Sequence, residues 1–361
     1  MKRRNFIKNT ALISTTSMIM PSSFAHIIVP KAKDQLGIAL VGLGYYSTDV
    51  LAKSLLVTQK CKLTGVVTGS PEKAAQWQSK YNLNDKNIYN YSSFDQIANN
   101  PDIDVIYIVL PPSMHEEYVV RAAKAGKQVW CEKPMAPSVV ACQAMIDACN
   151  KNKVNLSIGY RMHHEPNTQE IMEWAKSKPY GKIKTLRAEA GYRENRTDHW
   201  KQKKAMGGGV MGDMGVYPLN AVRYATGMEP IAVTAKASTT RPEIYHEVEE
   251  TMQFDLEFPG GLMAKCEASF GKSMGTLHVD CEKGWYELEP FQAYSGAKGT
   301  TSDGKTLIKT LPNQQARQMD DDVMAIQMKK TGLAPSEEGL KDITVVEAIY
   351  KSAASGKRVK I

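Results

Sequence analysis

Between Leu36 and Asn150 the chain alternates continuous apolar runs with segments of helical period, and this pattern constrains the fold more than any other feature. Leu36-Gly37-Ile38-Ala39-Leu40-Val41 predicts a first strand, and Gly42-Leu43-Gly44 turns it into a helix over 47–57. A second strand is predicted over 62–68, a helix over 71–81 and a buried strand over 105–110. A helix over 114–125 then stops at Gly126, and a strand over 128–131 leads to a helix over 138–150. Strands this apolar, each separated by a helix, imply a parallel sheet covered on both faces.

The two glycines have a physical purpose. Gly42 permits the tight turn, and Gly44 lets backbone N–H groups approach a pyrophosphate at the helix start. Ser47 stands where a third glycine is usual, a departure that a small side chain accommodates. In this setting the spacing predicts a Rossmann dinucleotide-binding domain over 36–155, with Leu43, Tyr45 and Tyr46 at the turn. The second strand ends in Thr68-Gly69-Ser70, followed by Lys73, where an NAD enzyme usually places Asp or Glu against the ribose. Ser70 and Lys73 offer a hydroxyl and an ammonium to a 2′-phosphate, so NADP is the expected cofactor and NAD the alternative. Ser70 also fits as the cap of a helix starting at Pro71. The next two strands run into Leu110-Pro111-Pro112-Ser113-Met114-His115 and Glu132-Lys133-Pro134, at the carboxyl ends where ligands bind in such sheets. Leu110, Pro111, His115, Glu132 and Lys133 are therefore expected around the cofactor, although capping or packing explains His115 as well as chemistry does.

With 361 residues and 42% hydrophobic content, the chain suits two domains. Its start, Lys2-Arg3-Arg4-Asn5-Phe6-Ile7-Lys8, precedes a weakly apolar run over 11–20 and Ser23-Phe24-Ala25, the three parts of an export signal over 1–25. The Arg-Arg-x-Phe-Ile-Lys order is what the twin-arginine export machinery reads, which implies a periplasmic protein exported already folded. The run is too short and too polar to span a bilayer of about 30 Å, so stable membrane insertion is not expected. Removing the basic residues of the signal leaves a mild, scattered positive charge that does not argue for nucleic acid. The six cysteines form no CxxC pair, and Cys142 and Cys149 would lie about 10 Å apart along one helix, beyond disulfide reach. All six read as small core residues.

The most specific stretch is Trp200, then Gly207-Gly208-Gly209-Val210-Met211-Gly212-Asp213-Met214-Gly215-Val216-Tyr217, Arg223-Tyr224 and Gly227-Met228-Glu229-Pro230. With Glu132-Lys133-Pro134 and the ending Glu337-Glu338-Gly339-Leu340-Lys341-Asp342, the chain resembles the glucose-fructose oxidoreductase branch of the Gfo/Idh/MocA family. That resemblance implies an α+β second domain over 156–361, built on a large, open, mostly antiparallel sheet that holds a sugar against the nicotinamide. It also implies a homo-oligomer, dimer or tetramer, paired through the outer sheet face, with residues 26–35 as an arm. The sequence agrees in outline, with strands predicted over 183–192, 231–239, 247–258, 261–270, 275–281 and 284–288.

Asp213 and Tyr217 are four apart in a helical segment, so both can face one site. Hydride transfer at a sugar carbon needs a group to move the hydroxyl proton, and a tyrosine of pKa about 10 needs a nearby cation to do so near neutral pH. Tyr217 is therefore expected as acid-base, Lys133 as the cation that lowers its pKa and binds the reacting oxygen, and Asp213 as the group orienting a neighbouring sugar hydroxyl. Tyr160, Arg161, His163, His199 and Trp200 are further candidates for the sugar site. His163, His164 and Glu165 are not expected to bind metal, because adjacent side chains of an extended strand face opposite ways. The lysines over 201–204 and the acids over 320–322 read as solvated faces. Three functional classes follow: a sugar oxidoreductase keeping NADP(H) through its cycle, a nicotinamide-dependent glycoside hydrolase of the same superfamily, and a non-catalytic sugar sensor. The retained Lys133, Asp213 and Tyr217 weigh against the last.

Overall fold

The first apolar runs form strands β1 (Leu36–Val41), β2 (Cys61–Val67), β3 (Ile88–Tyr89), β4 (Val105–Ile108), β5 (Gln128–Cys131) and β6 (Leu156–Ile158) of a computed structural model that describes residues 33–361. The export signal read over 1–25, and residues 26–32 of the expected arm, lie outside the described residues. The six strands make one parallel sheet in the order β3-β2-β1-β4-β5-β6. Its last strand lies just past the boundary at 155 read from the sequence, since a three-residue strand is too short to register as an apolar run.

Every residue of β1 and β4 is buried, because helices cover both faces. The helix after β1, α1, opens as a π turn over Tyr46–Leu51 and continues as α-helix over Ala52–Leu55. Helix α2 (Pro71–Tyr81) starts where expected: Ser70 Oγ accepts from Lys73 N and Pro71 occupies the first turn. Helices α3 (His115–Lys124) and α4 (Val139–Asn152) complete this half.

The second sheet contains β7 (Ile183–Gly191), β8 (Ala232–Ser238), β9 (Thr251–Glu257), β10 (Met263–Ser269), β11 (Met274–Cys281), β12 (Gly284–Leu288), β13 (Gly299–Thr301), β14 (Thr306–Leu307) and β15 (Val359–Lys360). Their order is β14-β13-β12-β11-β7-β10-β9-β8-β15, antiparallel throughout except for the β7–β10 pair. Along β9, Met252, Phe254 and Leu256 point into the core while Gln253 and Asp255 face solvent, the alternation of a sheet covered on one side. The covering helices are α5 (Pro166–Ser177), α6 (Val216–Thr226) and α8 (Ser336–Ser355), with α6 against β7 and α8 against β8. All six cysteines are free and buried.

Helix α7 (Gln314–Met328) returns to the first half, where Met319 and Val323 join the core beneath β1. It corrects the reading of 320–322 as a solvated face. Asp320 accepts from the Gln59 and Lys60 backbone N–H groups (3.0 and 2.7 Å), and Asp321 lies 2.9 Å from His164 Nδ1. Asp322 is fully buried with no well-aligned hydrogen bond to either oxygen. Consecutive helical residues point about 100° apart, so adjacent acids meet three different environments. Burial pushes the Asp322 carboxyl up to about 6. The native state thus keeps a proton that the unfolded chain releases near pH 4, and stability from this group is lost as the pH rises through that window. Asp322→Asn is expected to stabilise the protein by about 2–3 kcal/mol near pH 8 and by almost nothing near pH 4. Paired thermal melts at those two pH values check this.

Candidate active site

At the first turn, Gly42 has φ +89°, and a Cβ there would lie 2.5 Å from the Val109 carbonyl oxygen, so only glycine fits. A Cβ added to Gly44 would meet nothing within 4 Å, and no side chain caps the start of α1. An open space beside uncapped helix N–H groups is what a dinucleotide's phosphates require. Leu43 and Tyr45 flank that turn, Tyr45 largely exposed, and Lys73 Nζ donates to the Leu43 carbonyl (3.2 Å). The Tyr46 ring instead turns inward to meet Tyr294, at 5.9 Å between centroids. The nearby carboxylate is Glu72, in the first turn of α2, which accepts from Ser70 Oγ (2.8 Å).

The loops after β4 and β5 are tied together by His115. Its Nε2 lies 2.8 Å from the Leu110 carbonyl, and its Nδ1 lies 3.0 and 3.1 Å from those of Pro134 and Met135. The ring is fully buried, and burial holds its pKa below the usual value, so His115 clamps two loops and does not face a ligand. Pro111 lies on the first of these loops, beside Leu110. Glu132 also turns inward: it accepts from Tyr107 Oη (2.6 Å), and a Cβ at Gly159 would approach its carboxylate to 2.8 Å. Burial pushes its carboxyl up, and its place is beneath the site, not on a cofactor.

Lys133 reaches the other half of the molecule. Its Nζ donates to Asp213 O (2.9 Å) and Asp213 Oδ1 (3.2 Å) and lies 4.6 Å from the centroid of the Tyr217 ring. Asp213 sits in a π turn over Met211–Gly215 that runs into α6, which carries Tyr217 in its first turn. Arg161 approaches the same ring at 5.6 Å and the Tyr294 ring at 4.7 Å, while donating to Ala293 O (3.0 Å), Gln292 O and Gln314 Oε1. Burial opposes charge on Asp213, yet Lys201 and Lys133 hold its carboxyl well below the usual range. Burial likewise disfavours the Lys133 ammonium, and Tyr217, Asp213 and Glu132 more than reverse that.

The sequence profile described as "Oxidoreductase family, NAD-binding Rossmann fold" matches residues 36–160, and "GFO/IDH/MocA C-terminal domain" matches 168–287. The solved aldose-aldose oxidoreductase of Caulobacter crescentus, complexed with glycerol, is 36% identical, with TM-score 0.87 over 91% of this chain and 100% of that one. The chain belongs to the Gfo/Idh/MocA oxidoreductase family. D-xylose 1-dehydrogenase [NADP(+)] of Haloarcula marismortui is 26% identical over 90% of this chain and 92% of that protein. Trans-1,2-dihydrobenzene-1,2-diol dehydrogenase of Xenopus laevis is 31% identical over 69% and 73%.

In this Gfo/Idh/MocA member the site contains residues that sequence reasoning missed. Lys201, read as part of a solvated run, is turned inward: its Nζ lies 2.5 Å from both Asp213 Oδ2 and Tyr192 Oη. His199 caps the short 3-10 turn at Trp200–Gln202 that aims it, and Trp200 stacks beside its ammonium at 5.7 Å. Tyr294 is likewise new. So is Glu249, whose Oε1 accepts from Met211 N (3.0 Å) and Tyr350 Oη (2.9 Å), capping the turn that holds Asp213. Gly209, at φ +98°, leaves room for that carboxylate, which a Cβ would meet at 2.6 Å. A cavity of about 860 Å³ lies behind this cap, bordered by Pro134, Met211 and Glu249, and Lys133, Asp213 and Tyr217 do not line it.

Two candidates fall outside the site. His163 Nε2 faces Asn220 Oδ1 (2.8 Å), and Tyr160 is buried beside Asp342, so both serve an ionic cluster under α6. Among the described residues no group of histidines, cysteines and acids is arranged to hold a metal ion, and no helix is long and apolar enough to cross a membrane.

Proposed function

We propose that the protein is an exported NADP-dependent sugar oxidoreductase that keeps its cofactor and moves hydride between a sugar C–OH and a sugar carbonyl. The convergence of Lys133, Asp213 and Tyr217 from two domains on one partly open point carries this reading. The likeness to the Caulobacter aldose-aldose oxidoreductase and the Haloarcula xylose dehydrogenase supports the sugar as substrate. Gly42, Leu43, Gly44 and Lys73 would hold the dinucleotide, which when bound supplies the hydride acceptor and donor. Lys73 and Ser70 favour NADP, and the fully exposed Glu72 is free to leave Ser70.

The protein's own groups do the rest. The Tyr217 phenolate takes the substrate's hydroxyl proton in oxidation, and the phenol so formed returns it in reduction. Lys133 and Arg161 lie against its ring, so negative charge developing on the phenol oxygen meets positive charge. Lys133 also donates to the reacting oxygen, and Asp213 fixes the direction of that ammonium. Export by the twin-arginine route follows from Arg3 and Arg4 and agrees with six free, buried thiols, as a chain folded before export would keep. Pairing through the outer sheet face belongs to the same proposal.

The test is product analysis after incubating purified enzyme with mixed aldoses and no added nicotinamide. Equal amounts of a sugar lactone and a polyol are expected. Cleavage of an offered glycoside without any redox product would contradict the proposal and favour the hydrolase.

A further inference from the structure

The Asp213 carboxylate is gripped from two sides, and counting donors around it leaves a remainder. A carboxylate offers about four acceptor positions, and an ammonium three donors. Oδ1 takes Lys133 (3.2 Å); Oδ2 takes Lys201 (2.5 Å) and the Tyr192 hydroxyl (3.2 Å). Lys133 uses a second N–H on the Asp213 carbonyl (2.9 Å), and Lys201 uses a second on Tyr192 Oη (2.5 Å). One N–H remains on each ammonium, and one acceptor position remains on Oδ1.

Neither lysine is sealed in. Their side chains keep 12% and 14% of their surface, and Asp213 keeps 13%. Lys201 is also held in direction: Tyr192, Trp200 and Phe270 present their rings at 5.0, 5.7 and 5.8 Å from Nζ. Tyr192 is fixed in turn, since its hydroxyl lies 3.2 Å from Glu194 Oε2, and Glu194 is paired with Arg196. A mobile surface lysine would have none of these restraints.

Lys133 holds Oδ1 and Lys201 holds Oδ2, so the two unused donors issue from different sides of the carboxylate, a spacing that suits two substrate oxygens. We infer that Lys201 is a specificity residue that binds the oxygen on the carbon next to the reacting one, making the substrate class a vicinal diol. This rests on the proposed sugar oxidation and names what that site selects. The reacting oxygen takes the remaining N–H of Lys133, and the adjacent oxygen takes that of Lys201. The adjacent hydroxyl can in turn donate to the open position on Asp213 Oδ1. An alcohol lacking the adjacent oxygen strands a charged donor in a desolvated pocket, and such sites reject the deficient analogue strongly.

The experiment compares an aldose with its 2-deoxy analogue, using wild type, Lys201→Met, Lys201→Arg and Tyr192→Phe. Wild type is expected to favour the aldose by about 100-fold or more in kcat/KM, since one hydrogen bond to a charged group is worth roughly 10- to 100-fold and the deficient analogue also leaves a donor unpaired. In Lys201→Met the ratio falls toward unity, the larger loss falling on the aldose, and Lys201→Arg restores part of it. Tyr192→Phe, which keeps the ring, gives an intermediate ratio and carries the test if Lys201→Met does not fold. A variant that turns over more slowly but keeps the wild-type ratio has lost only a structural lysine, and the inference is wrong. Equal use of both sugars by wild type overturns the inference alone. No turnover of either overturns the proposed function and the inference with it.

Discussion

Tyr217→Phe is expected to lower kcat by about 100- to 10,000-fold, the worth of a positioned acid-base group, with little change in cofactor content or melting temperature. The prediction is sharp because the substitution removes one atom from a ring whose surroundings are otherwise kept. Lys133 and Arg161 contact the face of that ring, at 4.6 and 5.6 Å from its centroid, and a phenyl ring preserves both contacts. Lys133 would still be held by the Asp213 carboxylate and carbonyl, so the site's geometry survives. Steady-state rates beside nucleotide content and a thermal melt make the comparison. Full turnover with bound cofactor would remove Tyr217 from the chemistry and leave Lys133 as the proton-transfer group.

A comparable effect on stability is expected at Arg223, one and a half turns along the same helix. Its guanidinium is 4% exposed and makes four strong contacts: Glu229 Oε2 (2.6 Å) and Oε1 (3.0 Å), Glu338 Oε1 (2.7 Å) and Asp342 Oδ1 (2.5 Å). It thereby ties α6, the helix carrying Tyr217, to α8. Arg223→Met leaves Asp342 fully buried and uncompensated, and breaking a buried pair in this way costs about 3–5 kcal/mol. A fall in melting temperature of about 4–7 °C is the expected reading near neutral pH. Burial already pushes the Asp342 carboxyl up to about 6 although Arg223 pulls it down, so without Arg223 it takes a proton still more readily. The native state then binds a proton that the unfolded chain does not, and the variant's deficit shrinks as the pH falls toward about 5. Adding Asp342→Asn to Arg223→Met should recover part of the loss at neutral pH. A deficit independent of pH would mean that lost packing, not stranded charge, is what the variant feels.

The parallel sheet was legible because its physics is local. Runs such as Val105–Ile108 are apolar at every position, and Gly42 is required by a turn that brings Val109 O to 2.5 Å from where a Cβ would sit. Lys133, Asp213 and Tyr217 could be found by motif and chemistry together. Short strands were not visible: β14 and β15 have two residues each, too few to show a period. The larger misses were long-range. Lys201 looks like its neighbours Lys203 and Lys204 until a 3-10 turn, closed by Gly208 beneath three backbone carbonyls, rotates it onto Asp213. Glu249 caps a turn thirty-eight residues before it, and Arg223 meets Asp342 across a separation of 119. No sequence window contains such pairs. His115, for which packing was as good a reading as chemistry, and Glu132, expected beside the cofactor, both turn inward to brace the loops that present Lys133.

The most direct test of the account is to mix the purified mature enzyme anaerobically with an aldose, without added nucleotide, and follow the near-ultraviolet absorbance of reduced nicotinamide. The nucleotide released on denaturation is then identified. About one NADP(H) per chain is expected, reduced within a single turnover by wild type and not by Tyr217→Phe. Nucleotide that is present but never reduced by any sugar would contradict it, and so would a protein that folds and is exported with none bound.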